Sequence, residues 1–269
     1  MIAPLQATLL GIVEGLTEYL PISSTGHLIL AAQWLGLSGE AVKTFEIVIQ
    51  AGAIAAVLGL YRARVATLWQ GLLGRDAQGR SLLLNLMVSF LPAALLGVVA
   101  HHQIKALLFS TWPVVGALAA GGLLMVALDG WLRSPSRATS RTLETLSVSE
   151  ALLIGLAQCL ALWPGTSRSM VTIVAGMLVG LPAPVAAEYS FLLALPTLGA
   201  ATVFDAVRGG GALLQHVGAL SVICGFLAAA LVAAVTVKGL VRYLNRRGLA
   251  LFGWYRLGLA GLVWWVASR

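Results

Sequence analysis

The stretch Gly11-Ile12-Val13-Glu14-Gly15-Leu16-Thr17-Glu18-Tyr19-Leu20-Pro21-Ile22-Ser23-Ser24-Thr25-Gly26-His27 decides how this chain is built. It opens as an apolar helical pattern with two carboxylates in it, breaks at Pro21, and restarts behind a run of hydroxyl residues. The second half of the chain echoes it in Gly155-Leu156-Ala157-Gln158-Cys159-Leu160-Ala161-Leu162-Trp163-Pro164, followed by Gly165-Thr166-Ser167-Arg168-Ser169. Gly11 matches Gly155, Glu14 matches Gln158 and Tyr19 matches Trp163; one deletion then aligns the prolines and pairs Ser24 with Ser167. The acids Glu46 and Glu188 follow those serines at nearly equal distances, each opening a long apolar segment.

Outside these motifs the chain is written for a bilayer. Of its 269 residues 59% are hydrophobic and 10% charged, against roughly 25% charged in an average soluble domain, and the mean hydropathy is +0.93. Six segments, 44–61, 82–100, 114–132, 185–204, 217–237 and 249–266, read as full spans of about 30 Å of hydrocarbon. Residues 1–37 and 152–181 do not, because each is two short apolar arms joined by a polar, helix-breaking tip. The net charge of +7 sits in short loops between apolar segments. That pattern is an orientation signal and a contact for anionic lipid headgroups rather than a nucleic-acid surface. Cys159 and Cys224 have neither metal nor disulfide spacing and read as small buried hydrophobes. The N-terminal residues lack the basic region and cleavage pattern of a removable signal peptide.

Loop charge sets the topology. Arg62, Arg64, Arg75 and Arg80 form one basic loop, Arg133, Arg137 and Arg141 a second, and Lys238, Arg242, Arg246 and Arg247 a third; all three belong on the cytoplasmic side. The loops around 103–111 and 205–215 face outside. Span parity then makes 152–181 enter and leave the membrane from the cytoplasmic side, and 1–37 from the outside. Opposite insertion with internal similarity predicts an all-α polytopic membrane protein: six transmembrane helices plus two re-entrant helical hairpins in an inverted-topology repeat. The whole chain, 1–269, is one membrane domain, with halves at about 1–132 and 149–269. Irregular backbone at membrane depth is tolerated only where protein buries it or it lines a polar cavity, so both tips should face a shared pocket.

The tips hold the residues that can do chemistry. Glu14 and Glu18, four apart, share one helix face, and within an apolar arm they need a cation, a shared proton or a basic partner. Ser23, Ser24, Thr25 and Gly26 offer hydroxyls and backbone N–H groups at the start of a second short helix, an anion-binding arrangement. His27, three residues after Ser24, is spaced to act as base toward a hydroxyl nucleophile; simple N-capping by the hydroxyls is the competing reading. Arg168 at the other tip suits bidentate contact with phosphate oxygens, with Thr166, Ser167 and Ser169 beside it. An ion pair from Arg168 to Glu14 or Glu18 is the alternative, and substrate can displace it. His101, His102 and His216 read as loop residues and Gly209-Gly210-Gly211 as a turn. No P-loop or dinucleotide fingerprint is present.

The two motifs, with Lys43-Thr44-Phe45-Glu46 and Cys159-Leu160-Ala161-Leu162-Trp163-Pro164-Gly165, resemble the undecaprenyl-diphosphate phosphatase family, also called the bacitracin resistance protein family. The likeness runs essentially end to end; Thr166 and Met170 stand where Phe and Gly are more usual. It implies removal of the terminal phosphate from undecaprenyl diphosphate in the bacterial inner membrane, which recycles the peptidoglycan lipid carrier and confers bacitracin resistance. It implies an active site of Glu14, Glu18, Ser24, His27 and Arg168, with Ser23, Thr25, Gly26, Thr166, Ser167 and Ser169 contacting substrate. It also implies a divalent cation, Mg²⁺ or Ca²⁺, at Glu14 and Glu18, and a site opening to the outer face. Attack by Ser24 with His27 as base, direct attack by His27, and attack by water all remain open. A transporter or flippase of the same lipid carrier is the rival class, since inverted repeats with broken helices are transporter architecture.

Overall fold

The computed structural model describes residues 2–100, 103, 111–132 and 140–268; for residues 40, 41, 43, 44, 47, 111, 204–216 and 266 it describes the backbone alone. His101 and His102 lie outside the described residues. The described chain is all-helical, running α1 (Pro4–Thr17), α2 (Ser24–Trp34), α3 (Glu40–Leu60), α4 (Arg62–Leu72), α5 (Ala77–Val99) and α6 (Thr111–Leu132). It continues with α7 (Val148–Gln158), α8 (Arg168–Leu178), α9 (Ala183–Val217), α10 (Ala219–Leu244) and α11 (Ala250–Ala267).

Among the described residues four helices are individually long and apolar enough to cross a bilayer, or five if α3 and α4 count as one span bent by 85°. The expected spans at 44–61 and 249–266 fall on α3 and α11, each of which includes residues described by their backbone alone. Large apolar side chains such as Val98, Leu231 and Val235 stand more than two-thirds exposed, a surface suited to lipid and not to water.

Two parts of the sequence expectation change. Arg62 and Arg64 do not lie in a loop but open α4, and Arg80 lies in the first turn of α5, capped by Asp76. Arg64 bridges Glu144 at 2.6 Å and Glu188 at 2.8 Å, so this basic cluster is ordered by acids distant in sequence. The expected turn at Gly209-Gly210-Gly211 is helical backbone within the 35-residue α9. Glycine's helix penalty of about 1 kcal/mol per residue is smaller than that of an unpaired peptide group in an apolar surround.

The helices pair in a repeated pattern. α1 lies on α10, and α7 lies on α5; α3 packs against both α10 and α9, and α6 pairs with α11. Small residues set these approaches. A Cβ on Gly11 would stand 2.4 Å from the carbonyl oxygen of Gly225, and one on Gly155 would stand 2.6 Å from that of Ser89. The two matched glycines of the motifs therefore do the same job in different helix pairs. In each motif a short helix ends near a proline, which has no N–H to continue the ladder. The chain then turns and restarts, as α1 into α2 and as α7, through the short 3₁₀ turn Cys159–Leu162, into α8.

Gly11→Val should lower stability in detergent by about 1–3 kcal/mol, the usual penalty of overpacking. Gly59→Ala, on an open face of α3 with nothing within 4 Å of the added carbon, should not. Thermal unfolding of the two variants checks this; equal midpoints would contradict the close approach of α1 to α10.

Candidate active site between the two hairpin tips

Each tip is fixed by a serine in an unusual conformation. Ser23 and Ser167 both have φ of 74°, and they are the non-glycine residues with positive φ among those described. Such a residue costs on the order of 1–3 kcal/mol unless its surroundings impose it. Here the side chain helps: Ser23 Oγ accepts from the Gly26 N–H at 3.4 Å and Ser167 Oγ from the Met170 N–H at 3.3 Å. Each is therefore the N-cap of the helix that follows. This corrects the alignment above. Ser167 corresponds to Ser23, not Ser24, because the turns fit without the deletion that aligned the prolines. The counterpart of Ser24 is Arg168, and each is the first residue of its helix.

Those two residues meet at one carboxylate. Ser24 Oγ donates to Glu18 Oε2 at 2.6 Å, and Arg168 Nη2 donates to Glu18 Oε1 at 3.0 Å. The side chains of Arg168 and Glu18 are only 9% and 6% exposed. Arg168 is anchored further by Nη1 to the Ser190 carbonyl at 2.8 Å and lies 5.7 Å from the Tyr19 ring centroid. Its Nε is buried with no hydrogen-bond partner. A second link joins the tips, as Ser169 Oγ donates to the Leu20 carbonyl at 2.9 Å.

A cavity of about 160 Å³ lies between the tips, walled by Glu18, Ser23, Ser24, Thr25, Ser167 and Arg168 together with Gln50, Trp163, Gly165 and Leu198. It has room for a polar headgroup and none for a long hydrocarbon chain. The first turns of α2 and α8 both reach it, presenting helix N-termini and their N–H groups to whatever anion enters.

Other expected residues stand elsewhere. Glu14 is 1% exposed, one turn before Glu18 on α1 and in electrostatic reach of Glu18, Glu46 and Arg168, but it does not line the cavity. His27 does not reach Ser24. Its Nδ1 bonds the Ser23 carbonyl at 2.7 Å and its Nε2 the Tyr255 hydroxyl at 2.7 Å, so both ring nitrogens are used away from the Ser24 hydroxyl. A helical spacing of three placed the two residues near each other but could not show where the ring points. Gly26, Thr166 and Ser169 also lie behind the wall, supporting the turns. Gln50, Ser190, Tyr255 and Arg256 carry no sequence motif, and Trp163 stands out in the sequence only as the match of Tyr19 and as part of the second motif. Arg256 was within reach of the argument applied to Arg168, being an arginine inside an apolar segment.

Chemically, the site holds a hydroxyl whose proton already points at a carboxylate, which is the form of an activated nucleophile. It also holds a fixed guanidinium for an oxyanion. Among the described residues no group of three His, Cys, Asp or Glu gathers for a metal, and both Glu18 oxygens are engaged. Glu18→Gln leaves Arg168 buried without its counter-charge and should destabilise the protein by about 3–5 kcal/mol. Replacing both, Glu18→Leu with Arg168→Met, should recover most of that loss. Unfolding midpoints of the three proteins test the pair; a single variant as stable as the wild type would show that the bridge does not carry the fold.

Comparison with known proteins covers nearly the whole chain. The family described as bacitracin resistance protein BacA matches residues 7–262. A Sorangium cellulosum protein named undecaprenyl-diphosphatase is 50% identical over 97% of this chain and 85% of its own length. Its Nitrosomonas europaea namesake is 44% identical over 96% and 93%. A Rhodospirillum rubrum protein named undecaprenyl-diphosphatase 2 is 43% identical over 98% of each. With a match that spans both hairpins and nearly everything between and around them, the chain belongs to the bacitracin resistance protein BacA family.

Proposed function

We propose that this protein is an undecaprenyl-diphosphate phosphatase, hydrolysing undecaprenyl diphosphate to undecaprenyl phosphate and inorganic phosphate. The observation that carries this is the bridge at Glu18, which joins a hydroxyl and a guanidinium from separate hairpins across a headgroup-sized cavity. The relatives' names supply the substrate. The reaction returns the lipid carrier to peptidoglycan synthesis, and extra enzyme confers bacitracin resistance.

Phosphoryl transfer depends on alignment and on stabilising charge over the moving group. Arg168 and the N-termini of α2 and α8 bind the diphosphate oxygens, and the unpartnered Nε of Arg168 has an N–H available for one of them. Ser24 Oγ attacks the terminal phosphorus as Glu18 Oε2 takes the hydroxyl proton. The bond from that phosphorus to the bridging oxygen breaks, and undecaprenyl phosphate leaves. Water then attacks the phosphoserine; the bond between Ser24 Oγ and phosphorus breaks, Ser24 Oγ recovers the proton held by Glu18, and inorganic phosphate leaves carrying the oxygen and protons of the water. Glu18 thus takes the part that sequence spacing gave to His27, and the 2.6 Å hydroxyl contact supports that exchange.

The family resemblance implies a divalent cation; Glu18, freed from one of its present partners, would hold it with Glu14 behind it, as one or two carboxylates and substrate phosphates commonly hold Mg²⁺. Such an ion would neutralise charge on the phosphates. The repeated helix pairing and the matched tips support six spans and two re-entrant hairpins in an inverted repeat, with halves near 1–132 and 149–269. The basic clusters support an inner-membrane orientation with the cavity opening outward. The same repetition favours a second reading, movement of the lipid carrier across the bilayer; the hydroxyl–carboxylate contact favours bond cleavage, since binding alone needs no nucleophile.

The test is inorganic phosphate release from a polyprenyl diphosphate by the purified protein in detergent. Arg168→Ala should reduce turnover by roughly 10²–10³-fold, the usual loss when a charge-stabilising donor is removed. A Ser24→Ala enzyme with undiminished turnover would rule out the serine nucleophile and leave water as the attacking group. Lipid movement without any phosphate release would overturn the phosphatase reading. EDTA should abolish release, and Mg²⁺ or Ca²⁺ should restore it; full activity in EDTA would remove the cation from the mechanism.

A further inference from the structure

The cavity wall is held from behind by one helix that contributes nothing to it. Arg256 on α11 is fully buried, yet each of its hydrogen bonds goes to a backbone carbonyl. Nη1 donates to Thr166 O at 2.9 Å and Nη2 to Gly165 O at 2.9 Å, while Nη2 also reaches Ala117 O at 2.8 Å and Nε reaches Leu118 O at 3.3 Å. Gly165 and Thr166 are the residues that lead into Ser167 and Arg168. The planar fork therefore fixes the backbone of the second tip against α6. Gly121 leaves room for it, since a Cβ there would stand 2.4 Å from Nη2.

The residue before it holds the first tip. The Tyr255 ring stacks on His27 at 7° with centroids 5.6 Å apart, and its hydroxyl lies 2.7 Å from Nε2. A carbonyl only accepts, so the proton on the His27 ring sits at Nδ1 and is donated to Ser23 O; Nε2 then accepts from Tyr255. Tyr255 reaches through His27 to the strained serine that caps α2, and Arg256 reaches the turn that ends in the matching serine. Adjacent residues on a helix point in different directions, which lets one helix address both tips.

We propose that Tyr255 and Arg256 are positioning residues, and that α11 sets the separation of Ser24 from Arg168 during phosphoryl transfer; this rests on the phosphatase reading above. A burial role alone would be met by apolar residues, which need no carbonyls to satisfy them.

The full-length enzyme in detergent tests this by steady-state phosphate release from a polyprenyl diphosphate. Tyr255→Phe keeps the ring and removes the hydroxyl at a position 48% exposed, where folding is not at risk. Arg256→Lys keeps the charge and removes the fork. Displacement of a reacting group by about 1 Å costs on the order of 10²-fold, so kcat should fall ~10-fold in the first variant and ~100-fold in the second, with KM within ~3-fold in both. Unchanged kcat in either variant, or a rise in KM with kcat intact, overturns the proposal. If Arg256→Lys does not fold, Tyr255→Phe decides it. A wild-type enzyme that releases no phosphate would instead sink the phosphatase reading itself.

Discussion

The buried bridge at Glu18 is the contact on which the rest of this structure depends. A carboxylate and a guanidinium in an apolar interior attract strongly, but each alone is expensive to desolvate. The pair is tolerable only at contact distance, and here that distance is 3.0 Å between residues 150 positions apart. To bring them together the chain interrupts two helices and folds both interruptions inward. Fold and site are thus one requirement, since the broken backbone needs a buried polar setting and the charges need each other.

That requirement explains features that look unfavourable one at a time. Ser23 and Ser167 adopt a φ of 74° because each turn must reverse the chain within a few residues and still cap the next helix. Gly11 and Gly155 let α1 and α7 press against α10 and α5 closely enough to seat the turns. Arg256 spends a buried charge on carbonyls that the second turn leaves without helical partners.

The two hairpins share geometry but not chemistry. Equivalent positions carry Ser24 in one and Arg168 in the other, so the same turn presents a hydroxyl from one side and a guanidinium from the other. Glu14 and Gln158 diverge in the same way. Glu14 sits in the field of Glu18 and Arg168, whereas Gln158 donates to the Ser89 carbonyl at 3.2 Å, within the interface of α5 and α7. The first hairpin supplies the carboxylates and the hydroxyl, and the second supplies the guanidinium.

The sequence by itself determined the membrane setting, the two broken-helix motifs and the candidates Glu18, Ser24 and Arg168, because apolar length, helix-breaking residues and charges stranded in apolar arms are all local properties. It did not determine the direction of the His27 ring, the correspondence of Ser23 with Ser167, or the parts of Gln50, Tyr255 and Arg256. The bend between α3 and α4 and the pairing of Arg64 with distant acids were equally hidden. Those depend on where a side chain points once helices far apart in the chain have packed, and helical spacing says which residues share a face but not what stands opposite. Only the tertiary structure brought a carboxylate, a hydroxyl and a guanidinium to one cavity, because only there does the desolvation of each find its compensation in the others.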